Sequence, residues 1–286
     1  MQLGSFEDAL RLGDGMDALR AGLARLTEAP GASALDSAIR LTAMSAVFTS
    51  SWTRIRAGSP PIPPDPAAGH GHDLLRMCGA PVAEARADAL EAYLVTVSDH
   101  GMNASTFTAR VIASTGSNTV SAVVGAVGAL KGPLHGGAHG PVLDMLDAMR
   151  DPARAEAWLE AELLAGRRIM GMGHRIYRVR DPRAAVLERE VERLQRAGLR
   201  SERLGLARAV ERAAEEALRD RHPDRPLRAN VEFYTAILLD ALGLDRALFS
   251  PLFACGRVLG WTAHIAEQRA TGRLIRPASR YIGPMA

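Results

Sequence analysis

The spacing of apolar residues is the feature that most constrains how this chain folds. They recur every three or four positions in FEDALRLGDGMDALRAGLARL and again in SALDSAIRLTAMSAVFTSSWTRI. This is the period of one face of an α-helix. No stretch of useful length alternates apolar and polar residues as a half-buried strand would. The sequence therefore predicts an all-α fold.

Segments rich in proline and glycine divide the helical pattern. Residues 58–73, GSPPIPPDPAAGHGHD, form a rigid connection through which neither neighbouring helix can continue. Further helices are predicted over 82–97, 103–115, 119–130 and 141–149. His70 and His72 fall in the connection, where two solvated loop histidines are a commoner interpretation than a metal-binding pair.

Composition excludes several classes of function. The chain of 286 residues is 47% hydrophobic and 23% charged with a net charge of +3, typical of a globular protein and too weakly basic to indicate nucleic acid. Residues 111–130 carry no charge, but their Ser, Thr and Asn favour a buried helix over a membrane span. Cys78 and Cys255 lie far apart, outside any metal-ligand spacing. With no signal peptide at the N-terminus, we expect a cytoplasmic protein without metal.

Three polar residues stand in contexts that expose backbone or exclude water. His135 lies among glycines in GPLHGGAHG, and His174 follows Gly171 and Gly173 in IMGMGHRIYRVRDPRA. Glu232 sits in an apolar helix, where a carboxylate is unfavourable unless it is paired or functional. Either histidine alone fits an ordinary loop. Together, two histidines and a carboxylate supply a base, a donor to an enol oxygen and an acid.

Six segments of the chain resemble the citrate synthase family, in the family's order and close to its spacing. These segments, which run from about residue 90 to the C-terminus, are SDHGMNASTFTAR, GPLHGGAH, GMGHRIYRVRDPRA, NVEFYTAILLDALG, FACGRVLGWTAHIAEQ and RLIRPASRYIG. The resemblance implies a large helical domain, residues 1–149 and 249–286, and a small one, residues 150–248, that closes over the substrates. It also implies condensation of acetyl-CoA or propionyl-CoA with a 2-oxo acid such as oxaloacetate, releasing CoA.

The resemblance assigns a role to each catalytic position. His135 would donate to the thioester carbonyl, Glu232 would remove a proton from the neighbouring carbon, and His174 would polarise the keto group of the acceptor. The CoA thioester is a substrate, and no bound cofactor is implied. The backbone facing CoA would be that of Gly171, Met172, Gly173 and Asn230.

The acceptor would be held by arginines. Arg183, Arg257 and Arg276 match the family's carboxylate-binding arginines, the last of which comes from the other subunit. Arg183, the arginine of DPRA, is also compatible with a structural ion pair to a neighbouring acid. His100, in SDH, is expected near the substrates.

Two residues depart from the family pattern. Its base is aspartate where this chain has Glu232, and its His-x-Asp-His segment begins with a histidine that contacts the 2-oxo acid, where this chain has Val97. We therefore keep open a synthase for another acceptor, a CoA-ester lyase, and a non-catalytic subunit.

The resemblance also bears on assembly. The family's usual N-terminal segment is missing, so we expect either a homodimer or a hetero-oligomer with a longer homologue. Gly125 and Gly128 allow close helix approach and make 119–130 a candidate dimer face.

Overall fold

The structure is a computed structural model that describes residues 6–28, 30–136, 139–173, 179–199, 203–221 and 227–284, and only the backbone of His139 and Asp220. The fold is all-α: the chain is 68% helical and forms no sheet within the described residues. Those residues contain the helices α1 (Glu7–Leu10), α2 (Gly15–Ala24), α3 (Ala34–Arg56), α4 (His70–Cys78), α5 (Glu84–Val97), α6 (Ala104–Ser114), α7 (Thr119–Leu130), α8 (His139–Met149), α9 (Ala155–Leu164), α10 (Pro182–Arg196), α11 (Arg203–Arg221), α12 (Val231–Ala241) and α13 (Phe249–Thr271).

Helix α4 corrects one expectation, because His70 and His72 lie on its first turn and not in a loop. The glycine between them is a packing position. A Cβ on Gly71 would come within 2.5 Å of the Glu91 side chain on α5, and the Gly71 amide donates to that carboxylate at 3.1 Å. The glycine that suggests a break thus allows α4 and α5 to touch.

Helix α13 is the central element of the core and packs against α3, α5, α6 and α7. Two of its glycines bring the end of α5 onto its surface. A Cβ on Gly256 would meet Val97 Cγ2 at 2.6 Å, and one on Gly260 would meet the Ser98 carbonyl oxygen at 2.1 Å. This contact places the loop after α5 directly over α13.

Helices α6 and α7 pack against each other and separate the uncharged stretch 111–130 into two elements. Gly125 serves this contact, since its Cβ would lie 2.2 Å from Ile112 Cδ1 of α6. Gly125 therefore serves a contact within the chain, and the dimer face at 119–130 stays a prediction. None of the helices in the described ranges has both the length and the apolar character that crossing a membrane requires.

Helices α9 to α12 form the more charged part of the chain. Helix α12 is almost entirely buried and lies on α10 and α8. On its α11 side, Glu211 accepts hydrogen bonds from Tyr234 at 2.6 Å and from Arg180 at 2.5 Å. The division into domains at 150 and 248 stays a prediction.

Candidate active site

His135 lies in the turn after α7 and is held through its Nε2 atom. The backbone amide of Ser105 donates to Nε2 at 3.3 Å, and the Ser105 hydroxyl lies 2.9 Å from the same nitrogen. An amide can only donate, so Nε2 accepts and the proton of the neutral ring is assigned to Nδ1. The geometry therefore makes His135 a donor through Nδ1.

The start of α6 supplies the amide that holds this imidazole. Ser105 is the second residue of that helix, and its amide is one of the first-turn donors that have no partner within the helix. The positive end of the helix dipole disfavours a second proton on the ring. The Ser105 hydroxyl also accepts from Trp261 Nε1 at 3.2 Å and lies 2.8 Å from Asn103 Oδ1, and these contacts fix its position.

Glu232 stands in the first turn of α12, and its backbone is fixed by the residue that caps the helix. The Asn230 side chain accepts from the Glu232 amide at 3.0 Å, and its Nδ2 donates to the carbonyl of Gly173 at 3.0 Å. Asn230 thus joins the base position to the glycine segment that precedes His174.

That glycine segment runs alongside the start of α12. The Asn230 amide donates to the Gly171 carbonyl at 2.9 Å, and an isolated antiparallel bridge joins Met172 to Ala229. Gly171 has φ 75° and Gly173 φ 89°, in the left-handed region that glycine adopts without strain. The four positions expected to face CoA therefore lie together at the start of α12, the helix that carries Glu232.

Burial raises the pKa of Glu232 to about 7, from an ordinary value of 4.5. Removing a carboxylate from water disfavours its charged form, and the nearby charge of Asp181 acts in the same direction. Arg183 opposes both effects. A carboxyl with a pKa near 7 is suited to accept a proton from carbon near neutral pH.

Arg183 is paired with Asp181 two residues before it. Its Nε and Nη2 donate to the two carboxylate oxygens at 3.0 and 2.8 Å, which is the side-on fork that guanidinium and carboxylate favour. The structural ion pair that the sequence left open is therefore present. The guanidinium has five N–H donors, of which this pair engages two, so binding to Asp181 is compatible with binding a substrate.

Arg257 is buried in α13, with 1% of its surface exposed. Its Nε donates to the carbonyl oxygen of Val97 at 2.7 Å, and its guanidinium lies 4.9 Å from the centre of the Phe253 ring. No salt bridge joins it to an acidic side chain within the described ranges. Burial, together with the charge of Arg183, lowers the pKa of Arg257 to about 10, against the opposite influence of Asp99 and Tyr93.

The charge of Arg183 contributes to lowering the pKa of Arg257, which is itself fully buried. Buried charges are normally paired. A bound carboxylate would pair Arg257, and a second carboxylate of the same anion could bind Arg183 beside Asp181, so the site is suited to a dicarboxylate.

Val97 contacts Arg257 through its backbone. Its side chain is fully buried and packs on Gly256, so its contribution to the site is the carbonyl oxygen that accepts from Arg257. His100 is half-buried in the following loop, which connects the Arg257 contact to Asn103 at the start of α6.

Arg276 is not brought to these residues. It is exposed in the segment after α13, where the amide of Ile275 donates to the hydroxyl of Ser114 at 3.0 Å. Ser114 ends α6, so this anchor lies about 15 Å along the helix from Ser105 and His135.

His174 lies outside the described residues, so its role stays a prediction. Among the described residues, no three His, Cys, Asp or Glu side chains are grouped so as to hold a metal ion.

Sequence reasoning missed Asp181 and Ser105. Asp181 has a sequence signal, since an aspartate before a proline is the usual start of a helix and here caps α10. Ser105 has none, because only the fold brings it to His135.

Comparison with known proteins identifies the family. The profile of the C-terminal domain of citrate synthase matches residues 3–278. The chain therefore belongs to the citrate synthase family.

Two relatives from Mycobacterium tuberculosis illustrate the similarity. One is 48% identical over 197 residues, a match that covers 69% of this chain and 52% of that protein. The other, a 2-methylcitrate synthase, is 38% identical over 249 residues, covering 86% of this chain and 61% of its own length. The chain thus spans about half to two thirds of the relatives it matches.

Solved structures share the fold over the whole chain. The citrate synthase of Thermotoga maritima superposes with a TM-score of 0.84 at 34% identity, covering 99% of this chain and 76% of that one. The citrate synthase of Thermoplasma acidophilum, solved with carboxymethyl coenzyme A and oxaloacetate, gives a TM-score of 0.87 at 27% identity, covering 99% and 77%.

Proposed function

We propose that this chain condenses an acyl-CoA, acetyl-CoA or propionyl-CoA, with a 2-oxo dicarboxylate such as oxaloacetate and releases free CoA. The observation that carries the proposal is the grouping of Glu232, a carboxyl with a pKa near 7 at the capped start of α12, with two guanidinium groups, Arg183 beside Asp181 and the buried Arg257. The first is suited to remove a proton from carbon, and the second to hold an acceptor with two carboxylates.

Proton removal is the first step of the proposed reaction. Glu232 takes a proton from the carbon next to the thioester, and Nδ1 of His135 donates to the thioester oxygen as negative charge develops there. A neutral donor that points at the developing negative charge stabilises the transition state, and the donor keeps its proton. The backbone around Gly171, Gly173 and Asn230 holds the CoA.

Bond formation follows at the acceptor. The enol carbon attacks the keto carbon while Arg183 and Arg257 hold the carboxylates and His174 supplies the proton to the new hydroxyl. Water then cleaves the thioester and releases CoA. Every proton is carried by a side chain or water, so the proposal needs no metal and no bound cofactor.

We also propose that the protein is a cytoplasmic homodimer. Arg276 follows a residue anchored at the end of α6, whereas His135 is held at the start of that helix. This separation within one chain supports the idea that Arg276 reaches the active site of a second subunit. A hetero-oligomer with a longer homologue would place the same arginine in a different partner.

The test is thiol release from acetyl-CoA and propionyl-CoA by the purified chain, across 2-oxo acids with one or two carboxylates. We expect release that depends on the acceptor and is fastest with a dicarboxylate. If none of the 2-oxo acids in the panel supports thiol release, the proposal is contradicted, and a lyase or a non-catalytic subunit is favoured. Mass measurement in solution checks the dimer, and a monomer at assay concentration would contradict it.

A further inference from the structure

Asp181 is fully buried and binds two helix starts at once. Its Oδ1 accepts from the backbone amide of Arg183 at 2.9 Å, in the first turn of α10, and its Oδ2 accepts from the amide of Val231 at 3.1 Å, the first residue of α12. Its own amide donates to the carbonyl of Ala229 at 3.2 Å. One side chain therefore fixes the relative position of the two helices that carry Arg183 and Glu232.

The same carboxylate also takes the guanidinium fork of Arg183, so it receives four hydrogen bonds. Burial alone would raise the pKa of Asp181, but the hydrogen bonds and charge of Arg183 outweigh burial and hold that pKa below its usual range. Asp181 is therefore ionised at neutral pH and acts as the fixed counter-ion of Arg183.

Glu232 is the other carboxyl that feels the charge of Arg183. It makes no ion pair within the described part of the chain, whereas Asp181 is paired in both oxygens. If Arg183 turned to Glu232 instead, the base would become a stable carboxylate with little tendency to accept a proton.

We propose that Asp181 is a positioning residue that holds the guanidinium of Arg183 toward the acceptor and so keeps the carboxylate of Glu232 out of an ion pair. This inference rests on the proposed function, since it assigns Glu232 as the base and Arg183 as an acceptor ligand.

Of the charged groups described on elements that pack against α12, only Asp181 and Arg183 act on Glu232. Other charged groups are found around α12 at other places along its length. Those on the α11 side are Arg180, Glu211, Glu215 and Arg228, and those at its C-terminal end are Asp147, Arg203, Asp240 and Arg86.

The direction of the expected effect follows from the charges. In Asp181→Asn the negative neighbour is lost and Arg183 is no longer neutralised, so the pKa of Glu232 falls by about one pH unit. In Arg183→Gln the positive neighbour is lost and Asp181 remains, so the pKa of Glu232 rises by a similar amount. Glu188→Gln is the matched control, because it removes a carboxylate from α10 that binds Arg180 and Arg208 instead.

The experiment titrates the carboxyl carbon of Glu232 by NMR in full-length protein with labelled glutamate, assigning the signal by its absence in Glu232→Gln. We expect opposite shifts in the two variants and none in Glu188→Gln. An unchanged titration midpoint of Glu232 in either folded variant would overturn the proposal. If Asp181→Asn fails to fold, the midpoint measured in Arg183→Gln still decides the test.

Turnover is then measured on the same proteins. We expect a fall of about 100-fold in Asp181→Asn, with a raised KM for the 2-oxo acid, because the acceptor ligand and the base are both displaced. Lost turnover with an unmoved Glu232 midpoint would show a merely structural role. Since the titration needs no substrate, expected shifts without any turnover would remove the proposed function and leave the positioning role intact.

Discussion

The two halves of the candidate site are held by different physical means. His135 is fixed by hydrogen bonds between neutral groups, the amide and hydroxyl of Ser105, at the start of a helix in the core. Glu232 stands at the start of α12, which is held by the Asn230 cap and by the buried ion pair of Asp181 with Arg183. The first half should therefore respond weakly to pH, and the second strongly.

The largest effect is expected from removing the base. Glu232→Gln should lower kcat about 1000-fold, since the amide cannot accept the proton. The measurement is thiol release at saturating substrates. Asp240→Asn, on the same helix and paired with Arg203 instead, is the control and should stay near wild-type activity. Equal losses in both variants would point to a damaged helix and not to a missing base.

The second effect tests the neutral half. His135→Asn should lower kcat about 100-fold, because one donor to the developing thioester oxyanion is lost. The residual activity should still fall on acidification with a midpoint near 7, since Glu232 sets that limb. His72→Asn, an exposed histidine on α4, serves as control. A displaced acid limb in His135→Asn would show that the imidazole itself titrates and break the comparison.

The third effect separates binding from stability. Arg257→Met should raise the KM for the acceptor about 10- to 100-fold through lost charge-assisted hydrogen bonds. The free energy of unfolding should stay the same or rise by about 1 kcal/mol, because the change replaces a buried cation, which has no carboxylate partner among the described residues, with an apolar side chain. Denaturant unfolding and steady-state kinetics measure the two quantities.

Arg110→Met provides the contrast for that prediction. Arg110 is mostly buried but satisfied, since its Nε donates to Gln268 at 3.1 Å and its guanidinium contacts His264 and Glu267. Its loss should lower stability by about 1–3 kcal/mol. If Arg257→Met were the more destabilising change, Arg257 would be a structural cation.

The smallest effect is on stability as a function of pH. The pKa of Glu232 is raised in the folded state, so the folded protein binds more protons than the unfolded chain between about pH 4.5 and 7. Ionising Glu232 therefore destabilises the fold as pH rises through that window. Relative to Glu232→Gln, the wild type should lose about 1 kcal/mol, less than the full pKa difference because the side chain is partly solvated. A constant difference across the window would show an unperturbed Glu232.

Much of the fold could be read from the sequence because helical periodicity is a local signal. The starts of α6 and α7 coincide with asparagine caps, and both helices match their predicted ranges closely. Helix α4 was missed since its glycines resemble a break, whereas their role is contact with α5.

The site was predicted residue by residue through family resemblance, but its arrangement was not. Nothing local indicates that Ser105 fixes the tautomer of His135, or that Val97 acts through its carbonyl oxygen. These contacts join positions 30 and 160 residues apart along the chain. Only the packed helices determine them.

The most direct test of the account is exchange of the α-protons of acetyl-CoA with deuterated water, followed by NMR across pH. Malate, a dicarboxylate that has no keto carbon to attack, fills the acceptor site without consuming the enol. The account predicts exchange that rises with pH through a midpoint near 7 and is lost in Glu232→Gln. Exchange that persists in Glu232→Gln, or whose midpoint moves in His135→Asn, would contradict it.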